Sequence, residues 1–209
     1  MKGLLMKEFY LLADMKRLGS LAFVFVIFLF AFDSASFLSS YIPVMMLMIT
    51  TSSFTYDEYY RWDSYALTLP LNRKTIVQSK YIFILIMMVV SILVSVGISF
   101  FLGSFKDLEL IEILVSSFVS SLIFLIIYSV QIPIILKYGA EKGRYVMMGM
   151  FLILFLVGTA ILKLSWFDKI FQFIDGNIIV FGVVFGMIIA VFFLASYCIS
   201  LKIYIKKEF

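Results

Sequence analysis

Long apolar runs without charge are the feature of this sequence that most constrains its fold. Residues 81–105, 113–136, 145–162 and 176–201 carry no charged side chain, and residues 18–56 carry only Asp33. An α-helix needs about 20 apolar residues to cross the hydrocarbon core of a bilayer. A backbone inside lipid must also satisfy its own hydrogen bonds, which a helix does internally. The runs therefore predict an all-α protein that crosses a membrane several times.

The positive charges lie almost entirely at one set of helix ends. Of the 17 Lys and Arg residues, three lie at the other ends, namely Lys106, Lys163 and Lys169. The rest are Lys2, Lys7, Lys16, Arg17, Arg61, Arg73, Lys74, Lys80, Lys137, Lys142, Arg144, Lys202, Lys206 and Lys207. Short cytoplasmic loops accumulate Lys and Arg in this way. The pattern predicts that both termini are cytoplasmic.

The net charge of +4 does not indicate a nucleic-acid partner. The excess of positive charge is confined to the predicted inner side, where it faces an anionic leaflet. Charged residues make up 14% of the chain, against about 25% in an average soluble domain. The charge therefore reports membrane topology.

The stretch 18–56 decides the number of spans. As one helix it would be about 58 Å long at 1.5 Å per residue, which is too long for one crossing. A tight outer turn at 33–36 gives two spans and places the basic ends of the stretch on the same side. Six spans follow in one domain, 1–209, at 18–33, 37–56, 80–104, 111–136, 145–163 and 177–201.

Two further segments are predicted to lie at the membrane surface. Residues 1–17 form an amphipathic helix, although Glu8 falls inside its apolar face. This helix either anchors the first span or also contacts a cytoplasmic partner. Residues 164–176 are short and aromatic, and aromatic side chains settle at the headgroup level. We interpret them as an outer interfacial or re-entrant segment.

The chain lacks the residues of several function classes. It contains no His, which excludes His-based catalysis and His metal ligation. The carboxylates of the predicted spans, Asp33 and Glu112, sit near outer ends, whereas ion-coupled transporters place such groups near the midplane. No G-x-x-x-x-G-K-[ST] phosphate-binding loop is present. We expect no enzymatic activity and no cofactor or metal in this chain.

The longest cytoplasmic excursion, 57–79, has an unusual composition. Asp57, Glu58 and Arg61 share one helical face, with Asp57 and Arg61 spaced for an i,i+4 pair. Tyrosines and one tryptophan cover much of the remainder. Pro70 restricts the residue before it and is predicted to end the helix there. The segment 57–70 is therefore either a surface helix resting on lipid or a helix that contacts a protein.

The same loop carries a recognisable pattern. It reads Asp57-Glu58…Arg61-Trp62-Asp63-x-Tyr65…Leu69-Pro70-x-x-Arg73-Lys74-x-Ile76-Val77…Lys80-Tyr81. This string resembles the small type-2 permease subunits of ATP-binding-cassette (ABC) exporters. Among them it is most similar to the Gram-positive permeases of the phenol-soluble-modulin and peptide-immunity kind. The resemblance extends over the whole chain.

The resemblance implies a role for the loop and a set of partners. Segment 57–70 would be the coupling helix that seats in a groove of the ATPase. The implied coupling residues are Asp57, Glu58, Arg61, Trp62, Asp63, Leu69 and Pro70. Two ATPase chains would bind ATP and Mg, and a second permease, identical or homologous, would complete the pathway. We expect Trp62 to be the apolar anchor and Arg61 and Glu58 the polar contacts.

Two weaker features lie within the spans. Gly182 and Gly186 form a small-xxx-small pair, which serves either packing within the chain or a dimer interface. Four serines put paired hydroxyls on the fourth span, where they either line a polar pathway or bond their own backbone. These serines are Ser116, Ser117, Ser120 and Ser121.

The expected function is that of an exporter permease in a bacterial plasma membrane. Spans without fixed charge suit an amphipathic cargo such as membrane-active peptides of the phenol-soluble-modulin type. The alternative is a passive channel or a membrane assembly partner without ATPase coupling. Cargo identity and transport direction are not encoded in any motif that we recognise.

Overall fold

The computed structural model describes residues 2–13, 35–103, 110–162 and 178–207, which are α-helical apart from short connections. The all-α prediction is confirmed for this part of the chain. The helices are α1 (Lys2–Ala13), α2 (Ala35–Tyr59), α3 (Trp62–Thr68), α4 (Arg73–Gly103), α5 (Leu110–Tyr138), α6 (Ala140–Leu162) and α7 (Ile178–Lys206).

Four of these helices are long and apolar enough to cross a membrane. The candidate spans are Arg73–Gly97, Val115–Tyr138, Ala140–Ala160 and Val184–Lys206. They overlap the last four predicted crossings, so the multi-pass prediction is confirmed at this level. The spans have the length expected for a bilayer, at 21 to 25 residues each.

The first two predicted crossings have different outcomes. The crossing at 18–33 lies outside the described residues, as does the outer segment 164–176. The crossing at 37–56 falls within α2, a helix of 25 residues. Helix α2 is not among the candidate spans found in the described residues. The count of six spans stays a prediction.

Helix α5 is the centre of the bundle. It packs against α2, α4, α6 and α7, and α2 and α7 also contact α4. In the apolar 18-residue stretch that marks α5 as a candidate span, 61% of the residues are buried, against 11% in that of α6. Helix α6 therefore turns most of its apolar surface outward, as a helix beside lipid or a second chain does.

Tyrosine hydroxyls tie the core helices together. The Tyr128 hydroxyl on α5 donates to the Leu47 carbonyl on α2 at 2.8 Å. The Tyr81 hydroxyl on α4 lies 2.7 Å from that of Ser196 and 2.8 Å from that of Ser200, both on α7. Each tyrosine is buried, so its polar end has the partner that burial demands.

Candidate functional site

The segment 57–70, predicted as one cytoplasmic helix, is divided by a break. Helix α2 continues to Tyr59, and α3 begins at Trp62. Between them Arg61 has φ 50° and ψ 40°, in the left-handed region that L-residues seldom occupy. The break separates Asp57 from Arg61, so the predicted i,i+4 pair was wrong. Asp57 pairs instead with Lys7 and Lys80.

Asp57 belongs to a buried cluster of four charges on three helices. The Lys7 ammonium nitrogen on α1 lies 2.5 Å from Asp57 Oδ1 and 3.0 Å from Glu8 Oε1. Lys80 on α4 pairs with Asp57 Oδ2 and lies 3.7 Å from Glu8 Oε1. The Ser53 hydroxyl on α2 donates to Glu8 Oε2. Two cations thus neutralise two carboxylates, and the cluster fixes α1 to α2 and α4.

The environment of Asp57 keeps its carboxyl ionised. Burial raises the pKa of Asp57, but attraction to Lys80 and Lys7 lowers it further, so the pKa lies below its ordinary value of 3.8. The cluster is a structural ion network without the chemistry of a metal centre. Among the described residues, no group of three or more acidic or Cys side chains is placed to hold a metal ion.

Glu58, the next residue, ties α2 to the α5–α6 junction. Its carboxylate accepts the backbone N–H of Ala140, the first residue of α6. A carboxylate at a helix N-terminus satisfies an orphan donor and complements the helix dipole. Gly139 has φ 93°, and a Cβ there would lie 2.5 Å from Glu58 Oε1. Glycine therefore allows both the turn and the approach of the carboxylate.

Asp63 ties α3 to the end of α7. The Tyr204 hydroxyl donates to Asp63 Oδ1 at 3.1 Å, and the Lys207 ammonium nitrogen lies 3.7 Å from Asp63 Oδ2. Arg73, at the start of α4, donates to the Ile205 carbonyl at 2.6 Å. This bond satisfies one of the carbonyls that a helix C-terminus leaves without partners. The end of α7 is thereby fixed to both α3 and α4.

Trp62 packs partly against the protein itself, and its predicted role as the apolar anchor of an ATPase contact stays a prediction. The indole is half-buried against the central apolar core. The Lys7 ammonium nitrogen lies 4.4 Å from the centre of the ring, at the distance of a cation–π contact. Trp62 thus connects α3 to α1, and removing it would disturb the chain's own packing.

The outward face of this segment presents different residues. Ser64, Tyr65 and Thr68 of α3 are exposed, and their spacing of i, i+1 and i+4 puts them on one side of this helix. Arg61, the residue before α3, is exposed as well. Tyr65 exposes 56% of its surface. We call these four residues the α3 outer face. Ala66, on the opposite face, is fully buried.

The end of α3 agrees with the sequence. Leu69 is extended, with φ −81° and ψ 154°, as the residue before a proline tends to be. Leu69 is half-buried and Pro70 is exposed. The seven predicted coupling residues therefore lie in one neighbourhood but point in two directions. Their role in coupling stays a prediction.

The two weaker sequence features have partial outcomes. Ser120 and Ser121 donate to the carbonyls of Ser116 and Ser117 at 2.7 Å, which is the backbone bonding that competes with a polar pathway. A Cβ at Gly186 would meet no atom within 4 Å, so no described neighbour packs closely there. The pathway and dimer roles stay predictions.

The sequence matches one known family of membrane transport proteins over most of its length. Residues 3–205 match the family model described as ABC-2 family transporter protein. Because the match covers nearly the whole chain, the protein belongs to the ABC-2 transporter family, whose members are membrane components of transport systems that partner with an ABC ATPase. No curated protein and no solved structure matched the chain. The predicted resemblance to type-2 ABC permeases is confirmed, and its phenol-soluble-modulin subtype stays a prediction.

The residues that hold the segment in place were not predicted as site residues. Lys7 and Glu8 lie on α1, and Lys80 lies within the apolar span of α4. The available signals were Glu8 inside an apolar helix face and Lys80 inside an apolar run, because a charge in such a place needs a partner. Only the fold shows that Asp57 is that partner.

Proposed function

We propose that this chain is the transmembrane permease subunit of an ABC exporter in a bacterial plasma membrane, with both termini cytoplasmic. ATP and Mg are bound by a separate ATPase subunit, present in two copies. A second permease chain, identical or homologous, completes the pathway. The proposed cargo is an amphipathic, membrane-active peptide of the phenol-soluble-modulin type.

One observation carries the proposal: segment 57–63 is bonded to four other helices of the described part of the chain. Asp57 pairs with α1 and α4, Glu58 accepts a hydrogen bond from α6, and Asp63 accepts one from α7. Because α3 is held by these contacts, a displacement of α3 by a bound ATPase would also move the four helices that it contacts. Such an arrangement supports mechanical coupling to an ATPase that seats on the α3 outer face.

The nature of the cargo is supported by the chemistry of the spans. The charged residues in the candidate spans lie near the span ends on the same side of the bundle as α3. The described spans therefore have no charged side chain at the midplane that could bind a coupling ion. The apolar faces of α6 and α7 are exposed over several turns. An amphipathic peptide can move along such surfaces while its polar side stays in water or at a polar interface.

The test is a reconstitution with an ABC ATPase that co-purifies with this chain. The permease and ATPase are placed together in nanodiscs, and ATP hydrolysis is measured with and without an amphipathic helical peptide. We expect the peptide to stimulate hydrolysis. The control is a peptide of the same composition, scrambled to abolish the apolar face, and it should have no effect.

Two results would contradict the proposal at different levels. Failure of any ABC ATPase to bind the permease would favour a passive channel or assembly partner. Binding of the ATPase with equal responses to both peptides would leave the permease assignment standing and overturn the amphipathic cargo.

A further inference from the structure

A groove between α2 and α6 lies beside the ion cluster and is not used by it. Its volume is about 460 Å³, and it opens to the outside of the bundle. Met48 on α2 and Met147 and Met148 on α6 form its apolar part. Hydroxyl side chains of α2 and the rings of Tyr56 and Tyr59 line the remainder. Methionine is flexible and polarisable, which suits a surface that receives a chain of variable conformation.

Arg144 supplies the positive charge of the groove. It is exposed, and one guanidinium nitrogen donates to the Thr55 hydroxyl at 3.2 Å. Among the described residues no carboxylate forms an ion pair with Arg144, in contrast to Lys7 and Lys80. A guanidinium has five N–H donors in a planar fork that fits phosphate oxygens. Arg144 therefore keeps donors for an anion.

The position of Arg144 along α6 matches the headgroup level of a bilayer. The candidate span begins at Ala140, so Arg144 lies about 6 Å along the helix from the start of that span. Tyr145, beside it, is exposed, as aromatic side chains at a membrane–water interface are. One turn further, Met148 and then Leu152 are exposed and apolar. The groove thus offers a cation at the interface and an apolar track toward the membrane centre.

We propose that this groove binds an anionic membrane phospholipid, with its phosphate on Arg144 and one acyl chain along the methionines. Charge complementarity favours this occupant, because the groove belongs to the basic side of the protein and the inner leaflet is anionic. A free phosphate would leave the methionines unused, whereas a zwitterionic lipid would bring a second cation to a side of the protein that is already basic. The proposal requires that α6 spans a membrane and is independent of ATPase coupling.

Native mass spectrometry of the full-length protein in detergent tests the site. Phosphatidylglycerol is the probe, phosphatidylcholine with the same acyl chains is the neutral control, and inorganic phosphate is the headgroup control. We expect one phosphatidylglycerol to be retained in preference to phosphatidylcholine. Arg144→Gln should weaken its binding about tenfold, as expected for loss of a charge-assisted hydrogen bond to phosphate.

Lys142→Gln is the matched control variant. Lys142 is exposed on the same turn of α6 but does not line the groove, so the same loss of charge should leave the retained lipid in place. Arg144→Lys keeps the charge without the planar fork, so we expect weakening by a smaller factor. This second variant keeps the test valid if Arg144→Gln does not fold.

Several outcomes would overturn the proposal. Equal weakening by Arg144→Gln and Lys142→Gln would show general attraction without a site. Equal retention of the two lipids would show that binding depends on the acyl chains and not on the charge of the headgroup. Equal affinity for inorganic phosphate would remove the role of the acyl chain. If Arg144→Gln abolished binding of an amphipathic peptide and left phosphatidylglycerol bound, the groove would be a cargo site.

Discussion

The inner face of segment 57–68 contacts the rest of the protein, whereas its outer face is exposed. On the inner face, Asp57, Trp62 and Asp63 contact α1, α4, α7 and the central core. On the outer face, Arg61 and Tyr65 are exposed. A motif that reads as one coupling helix therefore contains residues that hold the segment and residues that present a surface. Loss of transport in a variant does not by itself distinguish the two.

The contrast has a direct consequence for mutational analysis. Inner-face substitutions should change the stability of the permease before any partner binds. Outer-face substitutions should change stability less and act mainly on association, because exposed positions usually change stability by about 0.5 kcal/mol and the contact between Tyr65 and Trp62 adds a modest amount. Stability and association must therefore be measured on the same variants.

The largest effect is expected at the buried ion cluster. Lys80→Ala removes a cation and leaves excess negative charge buried at Asp57 and Glu8. Breaking a buried pair on one side costs about 3–5 kcal/mol. We expect a strong decrease in the thermal stability of the detergent-purified protein, measured by the fraction that stays monodisperse after heating.

The matched control removes both charges of the pair. Asp57→Leu combined with Lys80→Met leaves Lys7 and Glu8 to neutralise each other, so much of the lost stability should return. A single variant as stable as the wild type would show that the four charges are not buried together in the membrane-bound protein.

The pH dependence sharpens the same point. Because the folded pKa of Asp57 is below its ordinary value, its contribution to stability is present above the unfolded pKa of about 4 and is lost as pH falls through the folded value. Asp57→Asn should therefore lower stability equally at about pH 6 and pH 8. The gap between variant and wild type should narrow only in strong acid. A gap that changed between pH 6 and 8 would contradict this assignment.

A smaller effect is expected where α3 meets α7. Tyr204→Phe removes the hydroxyl that donates to Asp63, while Lys207 still faces the same carboxylate. Loss of one hydrogen bond to a charged group costs about 1.5–3 kcal/mol, and the remaining cation should keep the cost near the lower end. Thermal stability measures this change, and Tyr145→Phe on exposed α6 is the control. Equal stability of the two variants would mean that Asp63 is held by Lys207 alone.

The helical spans could be predicted because their signal is local. An uncharged run of 20 residues specifies a membrane helix almost regardless of its neighbours. The extended Leu69 before Pro70 was predictable for the same reason, since the restriction acts between adjacent residues.

The direction in which each motif residue faces could not be predicted, because it depends on distant residues. Asp57 turns inward because Lys7 and Lys80 reach it from 50 and 23 residues away. The break at Arg61 had no sequence signal, since left-handed residues are usually Gly, Asn or Asp. A continuous helix was therefore the natural prediction.

The central claim is that an ATPase recognises the α3 outer face, and co-purification tests it most directly. The variant Arg61→Asn with Tyr65→Ala removes the charge and the exposed ring, and Asn still tolerates the left-handed backbone. The Tyr65 ring lies 5.5 Å from that of Trp62, so we expect this variant to lose about 0.5–1.5 kcal/mol of stability and to lose the ATPase. Tyr145→Ala, at an exposed tyrosine of α6, should retain it. An Arg61 and Tyr65 double variant that bound the ATPase as well as the wild type would contradict the claim and leave α3 as a surface helix.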